Sequence, residues 1–409
     1  MEAFLIPNFN YLIQQMSTLR KVLKKIKTNE LGDKFSVFTD VDNTAPHGYI
    51  STGDDILDLK ICNVPRGGVP LGRYLNIYSD SGLGKSLLVY KLIANAQKQG
   101  GIGIYYDTEN GAFKPYMQVL GVDEENLIYT DEIKTVEDIF QSIIELILSF
   151  NEEKFEAPLV IAVDSMYAVT TKTGADLDIH EKQGYGIGAE KQMVLNDELK
   201  KVMNLIKGSN ILFVTTDQIR DNIGAFANQS KVKDTAGHAQ KFFADIRLEI
   251  KKKATLKQGD VEVGNEVVIK TEKSRVAPPK QKCRSFIYHT RGIDNYMSWI
   301  ENGSDLGIIE KGKGTLKFKD EKGEIIRIDG KLPRYKDFRK IMVQYPEIKS
   351  ELYNQFCEKL IIQYENIEDL DLTDLDDTIS IDDDHNLKAF KKMNAKLLPV
   401  VDVKDKIDS

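Results

Sequence analysis

Three cysteines in 409 residues, Cys62, Cys283 and Cys357, stand far apart, and none belongs to a C-x-x-C pair. Thiols this sparse give no disulfide framework and fit a reducing compartment. Histidine is scarce too: the five present show no metal-ligand spacing, so no zinc site is expected. No apolar run reaches the roughly 18 residues that a membrane span requires. Residues Met1 to Pro7 lack the basic stretch and long apolar segment of a signal peptide. The expectation is a soluble cytoplasmic protein with no membrane contact. A net charge of −7 argues against nucleic-acid binding over the whole surface, but not against a local basic groove, because the charge is unevenly spread.

Against these absences, a hydrophobic content of 41% and a charged content of 29% describe a globular chain long enough for two or three domains. Its most informative stretch is a strand, a tight loop and a helix. The strand reads Tyr74-Leu75-Asn76-Ile77-Tyr78, the loop Ser79-Asp80-Ser81-Gly82-Leu83-Gly84-Lys85-Ser86, and the helix opens at Leu87. This is the pattern of a phosphate loop, in which backbone amides and a helix N-terminus hold nucleotide phosphates. Lys85 would lie against the outer phosphates and the Ser86 hydroxyl would ligate Mg²⁺. One position departs from the pattern: Ser79 stands where the first Gly is expected, and Ser is disfavoured there if φ must be positive.

Strands and helices then alternate. Ile102 to Asp107, Leu159 to Asp164 and Ile211 to Thr215 are continuous apolar strands, with helices at Thr135 to Phe150 and Ala189 to Lys207. Such runs indicate a mostly parallel sheet covered on both faces, with ligands at the carboxyl ends of its strands. Polar groups stand at those ends. Asp164 is placed to reach the Mg²⁺ shell through water, Glu109 to activate an attacking water, and Gln218 to sense a γ-phosphate.

These residues carry a resemblance. The chain resembles the RecA-family DNA recombinases, and is more similar to the phage (UvsX-type) branch than to the bacterial one. The similarity runs from about Ile50 to about Gly314. It includes Ile50-Ser51-Thr52-Gly53, Gly68 to Arg73, Asp107-Thr108-Glu109, Tyr116 with Leu120 to Asp123, and Val163-Asp164-Ser165. It continues through Asp217 to Gly224 and ends in Lys273-Ser274-Arg275-Val276-Ala277-Pro278-Pro279-Lys280, a string that general nucleotide chemistry does not require. The resemblance implies that Glu109 is the catalytic carboxylate and Gln218 the γ-phosphate switch. Tyr116 would stack on the adenine, or be an ordinary helix-face tyrosine. Lys273 and Arg275 would reach a neighbour's γ-phosphate in the manner of an arginine finger.

It also implies two DNA-contacting loops. One holds Tyr185, Gly186 and Ile187; the other runs from Ile219 to about Thr235 with Arg220, Ile223, Gly224, Phe226, Lys231 and Lys233. Gly237 and Lys241 follow, where His238 and Ala236 depart from the family string.

The implied fold is α/β: a RecA-like phosphate-loop ATPase core with a mostly parallel sheet, a basic N-terminal helical segment (1–48), the core (49–300), a small α+β domain (301–362) and a tail (363–409). Between Glu365 and Asp384 the tail carries ten acidic residues and no Lys or Arg, as either a charge mask or a solubilising segment. The implied activity is ATP- and Mg²⁺-dependent pairing and exchange of single- and double-stranded DNA on a helical homo-filament, with single-strand-binding and mediator proteins as partners. A ring-forming DNA motor of the same fold and a weakly hydrolysing filament former stand as alternatives.

Overall fold

The computed structural model describes residues 46–176, 185–221, 232–234 and 237–363, together with Lys21. By contacts the chain divides into a unit that ends at Ile362 and a second, residues 363–409, of which only Gln363 is described. The first unit opens with the short strand β1 (Tyr49–Ile50), helix α1 (Asp55–Cys62) and β2 (Val69–Pro70). Asp54 caps α1 by accepting from the amides of Ile56 and Leu57.

The alternating body follows: β3 (Arg73–Ser79), α2 (Lys85–Gln97), β4 (Ile102–Asp107), α3 (Lys114–Val119), β5 (Leu127–Thr130), α4 (Val136–Glu152), β6 (Leu159–Asp164), α5 (Lys172–Asp176), α6 (Tyr185–Ile206) and β7 (Ile211–Asp221). Next come β8 (Val232–Asp234), α7 (His238–Phe243), β9 (Ile246–Gln258), β10 (Val261–Ser274), β11 (Lys282–Tyr288), β12 (Gly292–Ile293) and α8 (Asn295–Asp305). The main sheet has the order β12-β11-β10-β9-β3-β7-β6-β4-β5, with β8 paired to β7. Strands β9, β3, β7, β6, β4 and β5 run parallel, and β10 to β12 extend them antiparallel. The inner strands are apolar without alternation because both faces are covered: every residue of β6 is buried.

Two apolar clusters flank the sheet. On one side α4 presents Val136, Ile139, Phe140, Ile143 and Ile147 at helical spacing, with Leu195, Leu199, Val202 and Ile206 of α6. Thr135 caps α4, accepting from the Asp138 amide at 3.3 Å. The other cluster runs from Ile50 and α2 to Trp299 of α8 and on to Phe338, Leu352 and Phe356, so the segment after Trp299 packs into the same core as the phosphate-loop helix. Among the described residues no helix is long and apolar enough to cross a membrane.

Two stretches differ from the sequence reading. Tyr185 to Gly188, expected in a loop, form the first turn of α6. Ile219 to Asp221, expected to open the second loop, continue β7 and pair antiparallel with β8, which sets Arg220 opposite Lys233. The long antiparallel pair of β9 and β10 was not anticipated.

Candidate functional site

Parallel pairing brings the ends of β3, β6 and β4 into line with Gln218 of β7: Ser79 is level with Gln218, and Asp107 with Asp164. The phosphate-type loop leaves β3 here and enters α2. Gly82 (φ 74°) and Gly84 (φ 94°) adopt the left-handed backbone that their type favours, and a Cβ on Gly84 would come 2.7 Å from Cδ1 of Ile287. Ser79 is not among the residues with positive φ, so its side chain imposes no backbone strain there. It is fully buried, and its hydroxyl donates to the Asp80 carbonyl at 2.7 Å.

Lys85 is the first residue of α2. Its Nζ donates to the carbonyls of Ser79 (3.2 Å) and Asp80 (3.0 Å) and to the Ser79 hydroxyl (3.2 Å). Burial lowers the Lys85 pKa from its ordinary value, while the carboxylates of Asp164 and Glu109 oppose the shift. One ammonium therefore faces two strand-end carboxylates across the loop mouth.

Asp164 is 6% exposed and both its oxygens are engaged: Oδ1 accepts from the Thr216 hydroxyl, and Oδ2 from the Tyr105 hydroxyl at 2.7 Å. Burial and the Asp164 charge push the Tyr105 phenol well up, so it stays a donor. A carboxylate held this way suits a metal's bound water better than direct ligation, and the Ser86 hydroxyl would supply the direct ligand. The loop's glycines, amides and ammonium fit a nucleotide's phosphates, with Ser79 to Leu87 as the cradle. Neither Tyr105 nor Thr216 was singled out in the sequence: an aromatic in an apolar strand reads as core, and its hydroxyl leaves no trace in the pattern.

Glu109 is exposed just past β4, and Oε1 accepts from Gln218 Nε2 at 2.9 Å and from the Ser165 hydroxyl. The two strand-end residues singled out separately are thus hydrogen-bonded to each other. Tyr116 lies in α3, half-buried against the core, its phenol pushed up by burial. Phe113, just before that helix, is 64% exposed.

Lys273 and Arg275, at the end of β10, meet the last carbonyls of α7. Lys273 Nζ donates to Lys241 O (2.8 Å) and Phe242 O (2.7 Å). Arg275 donates to Phe242 O (3.2 Å) and pairs with Asp245 at 3.3 Å. Burial first, and then the Arg275 charge, lower Lys273 to about 8. Of the DNA-directed residues, Gly237 precedes α7 and Lys241 lies within it. Arg220 and Lys233 lie on the paired strands β7 and β8, and Tyr185, Gly186 and Ile187 in α6. Ile223, Gly224, Phe226 and Lys231 lie outside the described residues.

Residues 17–294 match the family model described as the RecA N-terminal domain. The chain is 32% identical over 273 residues to Protein RecA of Wolinella succinogenes, covering 67% of this chain and 74% of that one. It is 30% identical over 326 residues to Protein RecA of a Nitratiruptor species, covering 80% and 86%. With Protein RecA of Helicobacter hepaticus the identity is 31% over 273 residues, covering 67% and 75%.

Proposed function

The chain belongs to the RecA family and is an ATP-dependent DNA recombinase and repair protein; from that premise we propose how its own residues perform the work. Family membership disfavours the ring-forming motor and the weakly hydrolysing filament former. The phage-branch placement, by contrast, rests on motif strings alone and is part of the proposal.

Ser79, Asp80, Ser81, Gly82, Leu83, Gly84, Lys85, Ser86 and Leu87 cradle the phosphates of ATP, with Lys85 on the outermost. Ser86, and Asp164 through water, would hold Mg²⁺, which would supply charge neutralisation at the phosphates. Tyr116 lies along the base. The observation that carries this reading is the Gln218–Glu109 hydrogen bond at 2.9 Å, with the Glu109 charge felt at Lys85. With that bond in place the Glu109 carboxylate is engaged. When a γ-phosphate draws the Gln218 amide away, Oε1 of Glu109 keeps only the Ser165 hydroxyl as donor, and the carboxylate becomes a stronger acceptor for the proton of the attacking water. Gln218 is thereby both sensor and restraint.

Tyr185, Gly186, Ile187, Arg220, Ile223, Gly224, Phe226, Lys231, Lys233, Gly237 and Lys241 are the residues that contact DNA. Lys273 and Arg275 serve the neighbouring protomer's nucleotide, so hydrolysis depends on filament assembly on single-stranded DNA, which then exchanges with a homologous duplex. Residues 1–48 serve polymerisation, 49–300 catalysis and DNA contact, 301–362 an accessory role, and 363–409 form an acidic tail. Single-strand-binding and mediator proteins are the expected further partners, in the cytoplasm of a bacterium or an infected host.

The test is ATP turnover with and without single-stranded DNA. DNA should stimulate the native chain, and Glu109→Gln should lower stimulated turnover by about a hundredfold or more. A native rate indifferent to DNA, or a Glu109→Gln rate like the native one, would overturn the reading.

A further inference from the structure

Residues on a strand alternate in direction, and those of β7 divide between two tasks. Thr216 and Gln218 meet Asp164 and Glu109. Thr215 and Asp217 point the other way, into a sealed polar cluster that the proposed site does not use. There Asp217 is 1% exposed, and its carboxylate accepts from Asn76 Nδ2 at 2.7 Å. Asn76 also donates to the Thr215 hydroxyl at 3.0 Å and accepts from Arg247 Nε at 3.0 Å. Gln240, likewise 1% exposed, brings its amide nitrogen to 2.9 and 3.3 Å from the two Asp217 oxygens, since only the nitrogen can donate to a carboxylate. A buried carboxylate is costly unless hydrogen bonds satisfy it. The Asp217–Gln240 bond therefore fastens α7 to β7 where the parallel pairing with β3 ends, one residue from Gln218.

Helix α7 has two further attachments. At its start Gly237 lies so close to α6 that a Cβ would sit 1.8 Å from Gln192 Oε1. At its end the carbonyls of Lys241 and Phe242 hold Lys273 and Arg275. It also follows, in the chain, the segment assigned to DNA.

We propose that Gln240 is a positioning residue: through Asp217 it sets β7 at Gln218, and so decides whether Gln218 keeps or gives up its bond to Glu109 when DNA displaces α7. The inference rests on the reading above, in which Glu109 and Gln218 act on ATP.

The test compares native protein, Gln240→Leu and the double variant Asp217→Asn with Gln240→Leu. Two quantities are measured on each: the ratio of turnover with single-stranded DNA to turnover without it, and the melting temperature. Gln240→Leu should lower the ratio about tenfold, within the 5- to 150-fold span of ordinary site-to-site couplings. It should also melt lower, because a buried charge loses a partner. The double variant removes that charge and should regain melting temperature while its ratio stays low. If Gln240→Leu does not fold, the double variant alone decides. A ratio restored together with stability would show that Gln240 merely satisfies Asp217, and would overturn the inference. A native protein that DNA fails to stimulate would instead overturn the underlying reading.

Discussion

Ser79 shows what one side chain changes in a phosphate loop. Its carbonyl would be present in any residue, but its hydroxyl adds a third partner for Lys85 Nζ at 3.2 Å, beside the carbonyls of Ser79 and Asp80. An ammonium has three donors, so an incoming phosphate has to displace one of these oxygens. A hydrogen bond to a charged group is worth enough that Ser79→Ala should tighten binding of a non-hydrolysable ATP analogue by about threefold to tenfold. Equilibrium titration checks this; unchanged or weaker binding would mean that the hydroxyl does not compete. Lys85, Asp164, Glu109 and Gln218 were legible in the sequence because each stands at the end of an apolar strand or inside a Gly-punctuated loop. Their pairing was not. Whether Gln218 meets Glu109 or a neighbour depends on strand order and rotamer, neither of which leaves a periodic mark.

At the scale of elements, α4 and the inner parallel strands could be read from periodicity, while β9 and β10 could not. Along β9 apolar and charged residues alternate only from Ile246 to Ile250, and exposed lysines follow at 251–253, so most of the strand carries neither an alternating pattern nor an apolar run. The C-terminal end of α7 was equally hidden, because helix carbonyls that bind cations have no sequence signature.

That end makes a pH prediction. Lys273 is lowered from 10.5 to about 8 by burial and by Arg275, with Arg247 also lowering it and Asp245 raising it. Between about 8 and 10.5 the folded chain has lost a proton that the unfolded chain keeps, so this group makes stability rise with pH across that window. The charge proposed to act at a neighbour's phosphate disappears over the same range. DNA-stimulated turnover should therefore fall as pH rises through about 8, without loss of folded protein. Lys273→Arg should move that alkaline limb upward, because a guanidinium stays charged. A native profile and a Lys273→Arg profile that superimpose would refute the assignment.

Across the whole molecule, the groups proposed to act on ATP are split between two edges of one fold. Lys85, Asp164, Glu109 and Gln218 gather at the carboxyl ends of the parallel strands. Lys273 and Arg275 sit at the end of β10, tied to α7. A head-to-tail filament would bring the second set of one protomer to the first set of the next. The most direct measurement is therefore complementation. Glu109→Gln and Lys273→Ala proteins, each nearly inactive alone, are mixed in equal amounts with single-stranded DNA and ATP. Random co-assembly places an intact Glu109 against an intact Lys273 at roughly one interface in four, so the mixture should recover about a quarter of native turnover. A mixture no more active than the two variants measured separately would contradict the shared site.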